Sequence, residues 1–230
     1  MKISVIIPSY NEEETILEVL RDIHQQSIEN IQFEVIVVDD ASTDDTSKLL
    51  KGTPDFYDKY IKLDTNGGKG AAIRAGLKEA TGDYILFQDA DLEYSPNEYG
   101  DLLKPILLFD ADFVIGSRFL APKFTRIAYF WHKVGNFIIT FLFNVVNNTT
   151  FTDIYSCYVL YKREYIDPDA LRTNGWEQQA EILTKVVGRA SNIYEVPISY
   201  HGRTYEDGKK IRARHVFSVI YSIIRFRLIR

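Results

Sequence analysis

Cysteine is nearly absent from this sequence: Cys157 is the only one among 230 residues. A single thiol excludes an intramolecular disulfide and any zinc site that is built from several cysteines. No histidine lies near Cys157 in the sequence, so we interpret Cys157 as a small buried side chain rather than as a nucleophile. The four histidines, at positions 24, 132, 201 and 215, show no metal-ligand spacing. The sequence therefore gives no sign of a metal that is bound by sulfur or imidazole.

Long hydrophobic runs are absent as well. The longest apolar stretch, residues 127–146, is interrupted by polar and small residues, and its uninterrupted part runs from Phe137 to Phe143. A helix that crosses a bilayer needs about 20 apolar residues, so this stretch predicts a long, partly buried or membrane-facing helix. Residues 3–8 are too short for a signal peptide and lack a small-residue cleavage pattern. These absences predict a cytosolic location.

Acidic residues are missing from the segment 209–230, which carries seven Lys and Arg side chains. The net charge of the chain is −5, so residues 1–208 carry −12. Apolar residues recur at helical spacing between these cations, at Val216, Ile220, Ile223 and Ile224. A basic amphipathic helix on an acidic body is typical of peripheral contact with an anionic membrane. The alternative is a helix that packs on the body and leaves its arginines solvated. The same charge distribution, without a nucleic-acid motif, predicts no nucleic-acid partner.

What is present is the composition of a globular domain, with 46% hydrophobic and 26% charged residues. Short apolar runs alternate with helical patterns over the first 118 residues, which predicts βαβ units and a mainly parallel sheet. The predicted strands are residues 3–8, 33–39, 60–63, 84–88 and 113–117. The predicted helices are residues 13–26, 45–51, 69–80 and 96–108.

The second half continues this alternation less regularly. After the long apolar helix, the patterns predict a strand at 157–161, a helix at 177–187, a strand at 192–198 and a basic helix from about residue 212. No repeat, low-complexity segment or linker is visible, so we predict a single domain over residues 1–230. The predicted fold class is α/β, with a mixed, mostly parallel sheet that is flanked by helices.

Three carboxylates, Asp89, Asp91 and Glu93, follow the apolar strand that is predicted at 84–88. Ligands of open α/β sheets bind at the carboxyl ends of the strands, and Mg²⁺ or Mn²⁺ prefers carboxylate and phosphate oxygens. The spacing therefore indicates a metal–diphosphate site, although two surface acids that flank an alanine are common by themselves. Helix-start signals come next: Ser95 as N-cap, Pro96 as first helical residue and Glu98 as capping-box acid.

Two other predicted strands also end in polar residues. The first runs into Pro8, Tyr10 and Glu12, and the second ends at Asp39 and Asp40. From the residues alone, the first loop could simply start a helix, and Asp40 could cap one. Two adjacent acids are costly at a strand end unless they are solvated or bound, so a ligand is the other interpretation.

A glycine-rich turn, residues 66–70, precedes the helix that is predicted at 69–80. Its glycines allow a backbone to approach a ligand closely. The turn is not a P-loop, because Lys69 is followed by Gly70 rather than by Ser or Thr, and it lacks the three-glycine spacing of dinucleotide sites. A plain flexible turn is the alternative.

In order and spacing, these motifs resemble the family 2 glycosyltransferases with the GT-A fold. The most similar branch comprises the dolichyl-phosphate mannose synthases and other polyprenyl-phosphate glycosyltransferases. The resemblance extends to residues 116–119, 152–153, 195–198 and 203–210, and so covers almost the whole chain. It implies a nucleotide-sugar donor half, residues 1–118, and an acceptor half, residues 119–230.

The resemblance implies a nucleoside diphosphate sugar as donor and Mg²⁺ or Mn²⁺ as cofactor. Asp91 is the implied main metal ligand, Glu93 assists it, and Asp89 contacts ribose or metal. Tyr10 would pack on the base, and Lys69 would support the base or phosphate region. The full set of implied donor-binding residues is Pro8, Tyr10, Glu12, Asp40, Gly68, Lys69, Asp89 and Ala90.

The predicted catalytic residues are Asp91, Arg118, Arg203 and Glu181. Arg118 and Arg203 present the planar fork that suits an acceptor phosphate, and a surface ion pair is the alternative for each. Glu181 matches an acid of the family, and a hydroxyl acceptor would need such a base. The alternative for Glu181 is an exposed helix acid.

The sequence thus predicts an inverting, metal-dependent glycosyltransferase that acts on a polyprenyl phosphate at the cytosolic membrane face. A hydroxyl of a glycan is the alternative acceptor. A sugar nucleotidyltransferase is disfavoured because its early glycine-rich basic signature is absent. A regulatory nucleotide-binding module is disfavoured by the clustered acids and phosphate-suited cations. The sequence leaves open the base, the sugar and whether the chain forms a homo-oligomer.

Overall fold

The computed structural model describes residues 1–120, 130–202 and 215–228. Within these residues seven strands form one sheet, in the order β3-β2-β1-β4-β6-β5-β7. The strands are β1 Lys2–Ser9, β2 Gln32–Asp39, β3 Lys59–Lys62, β4 Tyr84–Phe87, β5 Phe113–Ser117, β6 Val159–Lys162 and β7 Ile193–Pro197. The predicted strands are therefore confirmed, with their ends shifted by at most two residues.

The sheet is mixed but mostly parallel, as predicted. Strand β6 runs antiparallel to both of its neighbours, β4 and β5, and the other four pairings are parallel. In this register Ser9 lies beside Asp39, and Ile6 lies beside Phe87. The carboxyl ends of β1, β2 and β4 consequently meet at one edge of the sheet.

The helices are α1 Ile16–His24, α2 Thr46–Lys51, α3 Lys69–Glu79, α4 Tyr99–Phe109, α5 Phe130–Asn147, α6 Gln178–Val187 and α7 His215–Leu228. Helix α1 begins later than predicted, because Asn11 has a positive φ of 53° and the chain turns before it enters the helix. Residues 127–129 and 212–214 of two predicted helices lie outside the described part of the chain.

The start of α4 departs from the predicted capping box. Ser95 acts as an N-cap, since its hydroxyl accepts the N–H of Asn97 at 3.4 Å, but the following turn is 3₁₀ before α4 begins at Tyr99. Glu98 does not close the box: its carboxylate accepts the N–H of Ser199 at 2.7 Å instead. This bond ties the start of α4 to the segment that follows β7.

The core is centred on the parallel strands. Strand β4 is buried along its whole length, and the apolar residues of β1 and β2 are buried except at the amino end of β2. Such continuously apolar strands are typical of a sheet that is covered on both faces. Helix α3 packs against β1 and β2, which brings its first turn to the edge where these strands end.

Helices α5 and α7 carry the exposed apolar surface of the second half. Helix α7 packs on α5 and α6 and buries Val219, Ile223 and Phe226, whereas Ile224 is exposed, which agrees with the alternative that this helix packs on the body. No helix in the described ranges is long and apolar enough to span a bilayer. The large apolar side chains that α5 exposes are Phe130, Trp131, Phe137, Ile138, Phe141 and Val145.

Candidate active site

A cavity of about 320 Å³ lies where β1, β2 and β4 end. Each strand carries a short polar motif past its last paired residue, and the parallel register brings the three motifs together. All ten residues that the sequence predicts for donor or metal binding line this cavity. They are Pro8, Tyr10, Glu12, Asp40, Gly68, Lys69, Asp89, Ala90, Asp91 and Glu93.

The same backbone strain occurs in each of the three loops that follow these strands. Three non-glycine residues adopt left-handed conformations: Asn11 at φ 53°, Ala41 at 59° and Leu92 at 58°. Each directly follows a cavity-lining residue. Such a conformation costs an L-residue roughly 1–2 kcal/mol, so the surrounding structure must hold it. The three strand-end motifs therefore leave the sheet through sharp turns just past the cavity.

Asp40 holds the glycine-rich turn. Its two carboxylate oxygens accept the N–H groups of Gly67 and Gly68, each at 2.8 Å. Burial raises the pKa of Asp40, and the neighbouring Asp39 carboxylate adds to this. The side chain is thus the anchor of the turn at the cavity wall, and it caps no helix of its own.

The close backbone approach that the glycines permit is to another segment of the chain. The N–H of Gly70 donates to the carbonyl of Asn174 at 2.8 Å, and a Cβ on Gly70 would lie 2.5 Å from the Asn174 backbone. Gly68 has φ 87°, and a Cβ there would lie 3.1 Å from the same carbonyl oxygen. The alternative of a plain flexible turn is therefore the wrong description, because the turn is held between Asp40 and Asn174.

Lys69 is the cation among the described residues that line the cavity. Its ammonium lies 2.5 Å from Asp89 and 5.8 Å from the centre of the Trp176 ring. Burial alone would lower the pKa of Lys69, but the carboxylates of Asp89 and Asp91 outweigh it, and the pKa is raised. Lys69 is therefore charged throughout the physiological range, and Asp89 is its partner in this structure.

The predicted three-carboxylate metal shell is not assembled. Among the described residues, no group of three His, Cys, Asp or Glu side chains is arranged to hold a metal ion. Asp89 pairs with Lys69, and the Glu93 carboxylate accepts the hydroxyl of Tyr200 at 2.9 Å. The oxygen ligands that are present still suit a hard divalent ion, because carboxylates line the same cavity as the residues predicted to bind the nucleotide. Mg²⁺ in such sites takes one or two protein carboxylates and completes its shell with phosphates and water.

Gln88 fixes the loop that carries these carboxylates. Its amide N–H groups donate to the carbonyls of Asp89, at 3.0 Å, and Tyr94, at 3.2 Å. Its oxygen accepts the hydroxyls of Tyr99, at 2.9 Å, and Tyr158, at 3.0 Å. The amide is fully buried and fully satisfied, so it closes the loop around Asp91 at little cost. No sequence signal pointed to this role.

Arg118 lies beside the cavity rather than in its wall. Its guanidinium forms a two-pronged pair with Asp153, at 2.6 and 2.9 Å, and stacks on the ring of Tyr200 at 5.0 Å. Burial alone would lower the pKa of Arg118, but nearby groups, Tyr94 and Asp153 among them, outweigh it and raise the pKa. The pair is buried, so the surface ion pair considered from the sequence is wrong. Through Tyr200, Arg118 adjoins Glu93.

Glu181 is buried and does not line the cavity. Its carboxylate accepts N–H groups from Arg172 and Thr173 and pairs with Lys185 at 2.7 Å. An exposed helix acid is therefore the wrong description of Glu181. A direct catalytic role stays a prediction. The other predicted acceptor residue, Arg203, lies outside the described residues.

The cavity also has lining residues that no site assignment from sequence included: Ser9, Asn66, Ala72, Gly175, Trp176 and Tyr200. Three of these residues lie inside or next to the recognised motifs, since Ser9 ends β1, Asn66 begins the glycine-rich turn and Ala72 lies in the first turn of α3. Their positions in the sequence could therefore have indicated that they line the site. Trp176 and Tyr200 lie far from those motifs in sequence. Only the packing of the second half on the first brings them to the cavity.

A second cavity, of about 270 Å³, opens on the exposed face of α5. Half of its described lining residues are aromatic, and Lys133 among them lies 5.9 Å from the ring centre of Phe119. It adjoins the Arg118 region through Thr152, whose hydroxyl bonds to that of Ser117 at 2.6 Å. The lining residues are Phe119, Lys133, Phe137, Thr140, Phe141, Asn144, Phe151 and Thr152.

Comparison with known proteins gives a consistent result. A family model described as Glycosyl transferase family 2 matches residues 4–168. The dolichol-phosphate mannosyltransferase of Pyrococcus furiosus is 29% identical over 228 residues, which are 98% of this chain and 63% of that protein. The UDP-N-acetylglucosamine–dolichyl-phosphate N-acetylglucosaminyltransferase of Methanococcus voltae is 27% identical over 245 residues, with 98% and 96% covered. This chain thus spans less than two thirds of the first relative and nearly all of the second.

The fold is also that of a solved glycosyltransferase. Glucosyl-3-phosphoglycerate synthase from Mycobacterium tuberculosis, crystallised with Mn²⁺, uridine diphosphate and phosphoglyceric acid, superposes with a TM-score of 0.73. The identity is 20%, and the match covers 98% of this chain and 78% of the other. At this identity the likeness concerns the fold alone, and it confirms the predicted GT-A architecture.

Proposed function

This chain belongs to glycosyl transferase family 2 and is a glycosyltransferase, and we propose that it moves a sugar from a nucleoside diphosphate to a polyprenyl phosphate. The observation that carries the proposal is the cavity at the ends of β1, β2 and β4, where all ten predicted donor and metal residues meet. Two relatives whose names specify dolichyl phosphate match along almost the whole chain, which supports this acceptor class.

Asp91, with Asp89 or Glu93, would hold Mg²⁺ or Mn²⁺ at the end of β4. When bound, the ion would neutralise the departing nucleoside diphosphate as a Lewis acid. Lys69 supplies a second positive charge in the same cavity, and we assign it to the diphosphate. The diphosphate and Asp89 would then compete for the Lys69 ammonium. Tyr10 and Trp176 offer the aromatic surfaces for the base or the sugar.

The proposed transfer inverts the configuration at the sugar carbon, because the acceptor oxygen attacks from the face opposite the leaving diphosphate. A lipid phosphate arrives already ionised, so the reaction needs no strong general base. This agrees with Glu181, whose carboxylate is occupied by hydrogen bonds outside the cavity. Arg118, oriented by Asp153, and Arg203 remain the proposed contacts of the acceptor phosphate.

The second cavity supports a lipid rather than a glycan as acceptor. Its aromatic walls suit an apolar chain, and Lys133 and the neighbouring Arg118 suit an anionic head group. Phe137 and Phe141 of the exposed aromatic face of α5 line this cavity, so we propose that α5 rests on the membrane surface where such a lipid resides. In this arrangement the chain binds the cytosolic face of an anionic membrane peripherally.

A donor and acceptor panel tests the proposal. The protein is incubated with UDP-, GDP- and TDP-sugars and Mn²⁺ in the presence of a short polyprenyl phosphate, the matching polyprenol that lacks the phosphate, or an oligosaccharide. Binding of each nucleotide sugar is measured in parallel by calorimetry. We expect nucleoside diphosphate release and a glycosylated lipid product, measured by mass spectrometry, with the phosphate form only. Release that requires a glycan would move the assignment to a hydroxyl acceptor. Nucleotide binding without transfer to any acceptor would favour the non-catalytic module.

A further inference from the structure

Glu181 is a buried carboxylate that does not line the cavity, and both of its oxygens accept hydrogen bonds. One oxygen accepts the N–H of Arg172 at 2.9 Å and the ammonium of Lys185 at 2.7 Å. The other accepts the N–H of Thr173 at 2.9 Å and the hydroxyl of the same residue at 2.6 Å. A buried carboxylate must be satisfied in this way, and here its donors come mostly from one short segment.

That segment, residues 172–176, contributes to the wall of the cavity at the ends of β1, β2 and β4, hereafter the donor cavity. Gly175 and Trp176 line the cavity directly, and the Trp176 ring lies beside Lys69. The Asn174 carbonyl accepts the N–H of Gly70, so the segment also touches the first turn of α3.

Two further side chains lock this contact. Gln178 donates to the carbonyls of Gly70, at 2.8 Å, and Thr173, at 2.9 Å. Arg74 donates to the Thr173 carbonyl at 3.0 Å and to the Asn174 side chain at 2.5 Å. Because no Cβ fits between Gly70 and Asn174, a shift of the segment is passed on to the turn that carries Lys69.

We infer that Glu181 is a positioning residue for the donor site: through residues 172–176 it sets the places of Trp176, Gly70 and Lys69 around the nucleotide. The inference rests on the proposed function for its ligand. It gives Glu181 a task that a buried, saturated carboxylate can perform, since its effect reaches the substrate through other residues.

The test is Glu181→Gln in the full chain. The amide removes the negative charge and one acceptor oxygen, so the hydrogen bonds from the N–H groups of Arg172 and Thr173 are weakened or one of them is lost. We expect the Gly70 amide to exchange its hydrogen about tenfold faster and UDP, titrated with Mn²⁺, to bind about tenfold more weakly. In a Trp131→Phe background, Trp176 is the remaining tryptophan, and its emission should shift to the red.

Asp112→Asn is the matched control. Asp112 is also buried, pairs with Lys162 at 2.6 Å and accepts the N–H groups of Ser191 and Asn192. It precedes β5 at the opposite edge of the sheet, so its loss should lower stability without changing Gly70 exchange or UDP affinity. Thr173→Val is a milder second variant that removes a single hydrogen-bond donor to Glu181. It should make the exchange of the Gly70 amide about threefold faster and the binding of UDP about threefold weaker.

Equal effects of Glu181→Gln and Asp112→Asn on Gly70 exchange would reduce Glu181 to a general stabiliser and overturn the inference. Unchanged exchange and affinity with a reduced kcat would also overturn it, because Glu181 would then act on the reacting groups. If the wild-type protein binds neither UDP nor GDP, the proposed function fails for these nucleotides. Gly70 exchange still decides the positioning role in that case.

Discussion

At the scale of single residues, charge balance organises the donor cavity. Asp89 is paired with Lys69, and Asp91 and Glu93 lie on a loop that Gln88 closes from behind. The site therefore holds Asp89 and Asp91 close to the Lys69 ammonium. Entry of a diphosphate and a divalent ion would redistribute these pairs without a large movement of the backbone, because the loop is fixed by buried hydrogen bonds.

Asp91→Asn should reduce sugar transfer by at least about a hundredfold, since a lost charge contact in the transition state is worth on the order of 3 kcal/mol. The measurement is the initial rate of nucleoside diphosphate release at saturating donor and Mn²⁺. Asp101→Asn, which removes an exposed acid of α4 that pairs with Lys104, is the control and should leave the rate unchanged. Near-wild-type turnover by a folded Asp91→Asn protein would refute the metal role of Asp91.

At the scale of elements, the amino-terminal edge of the sheet is held by one buried acid. Glu34 on β2 accepts the hydroxyl of Ser4 on β1 at 2.5 Å and the N–H of Thr81, just before β4, at 2.8 Å. Lys2 pairs with the same carboxylate at 2.9 Å. Three chain segments that are distant in sequence are thus joined on the side opposite the cavity.

These contacts make stability depend on pH. Burial alone would raise the pKa of Glu34, but hydrogen bonds from Ser4 and Thr81 outweigh it and lower the pKa from 4.5 to about 2. Because the folded-state pKa is the lower one, the stabilisation is complete above pH 4.5 and is lost as the pH falls through about 2. By linkage its size is on the order of 3 kcal/mol.

We therefore expect Glu34→Gln to lower the free energy of unfolding at pH 7, and this difference from the wild type should shrink between pH 4.5 and 2. Urea denaturation at a series of pH values measures both effects. Glu14→Gln, at an exposed position before α1, is the control and should follow the wild-type profile. A difference that stays constant over this pH range would show that the Glu34 charge does not contribute.

At the scale of the whole molecule, the donor cavity and the second cavity both adjoin the Arg118 region. Arg118 adjoins Tyr200 of the first cavity, and Phe119 and Thr152 belong to the second. A donor in one cavity and a lipid phosphate in the other would approach each other across Arg118. The proposed membrane contact through α5 would then keep the acceptor end of the molecule at the lipid surface.

The double variant Phe137→Ser/Phe141→Ser should weaken binding to anionic vesicles by about tenfold, because both rings are exposed and stack on the same face of α5. Co-sedimentation with phosphatidylglycerol and phosphatidylcholine vesicles, at low and high salt, measures it. Leu108→Ser removes an equally exposed apolar residue from α4 and should have no effect. Unchanged binding of the double variant would place the contact elsewhere.

The sequence by itself determined the sheet and the donor half of the site. Hydrophobic periodicity and strand-end polar motifs are local signals, and they predicted that Asp91 lies at the carboxyl edge of the sheet. The resemblance to the family added Asp40 and Lys69 to the same site, and all three residues line one cavity. The same local logic identified Ser95 as a cap but misassigned Glu98, because a backbone N–H after β7 competes for that carboxylate.

The tertiary structure alone decided the roles of residues whose partners are distant in sequence. Nothing local distinguishes an acid on α6 that faces solvent from Glu181, which is buried against residues 172–173. The closeness of Gly70 and Asn174, the fit of Trp176 beside Lys69 and the burial of Ile223 follow from how the second half packs on the first. Packing depends on how the shapes of two surfaces fit each other, whereas the residue pattern along the chain describes each surface separately.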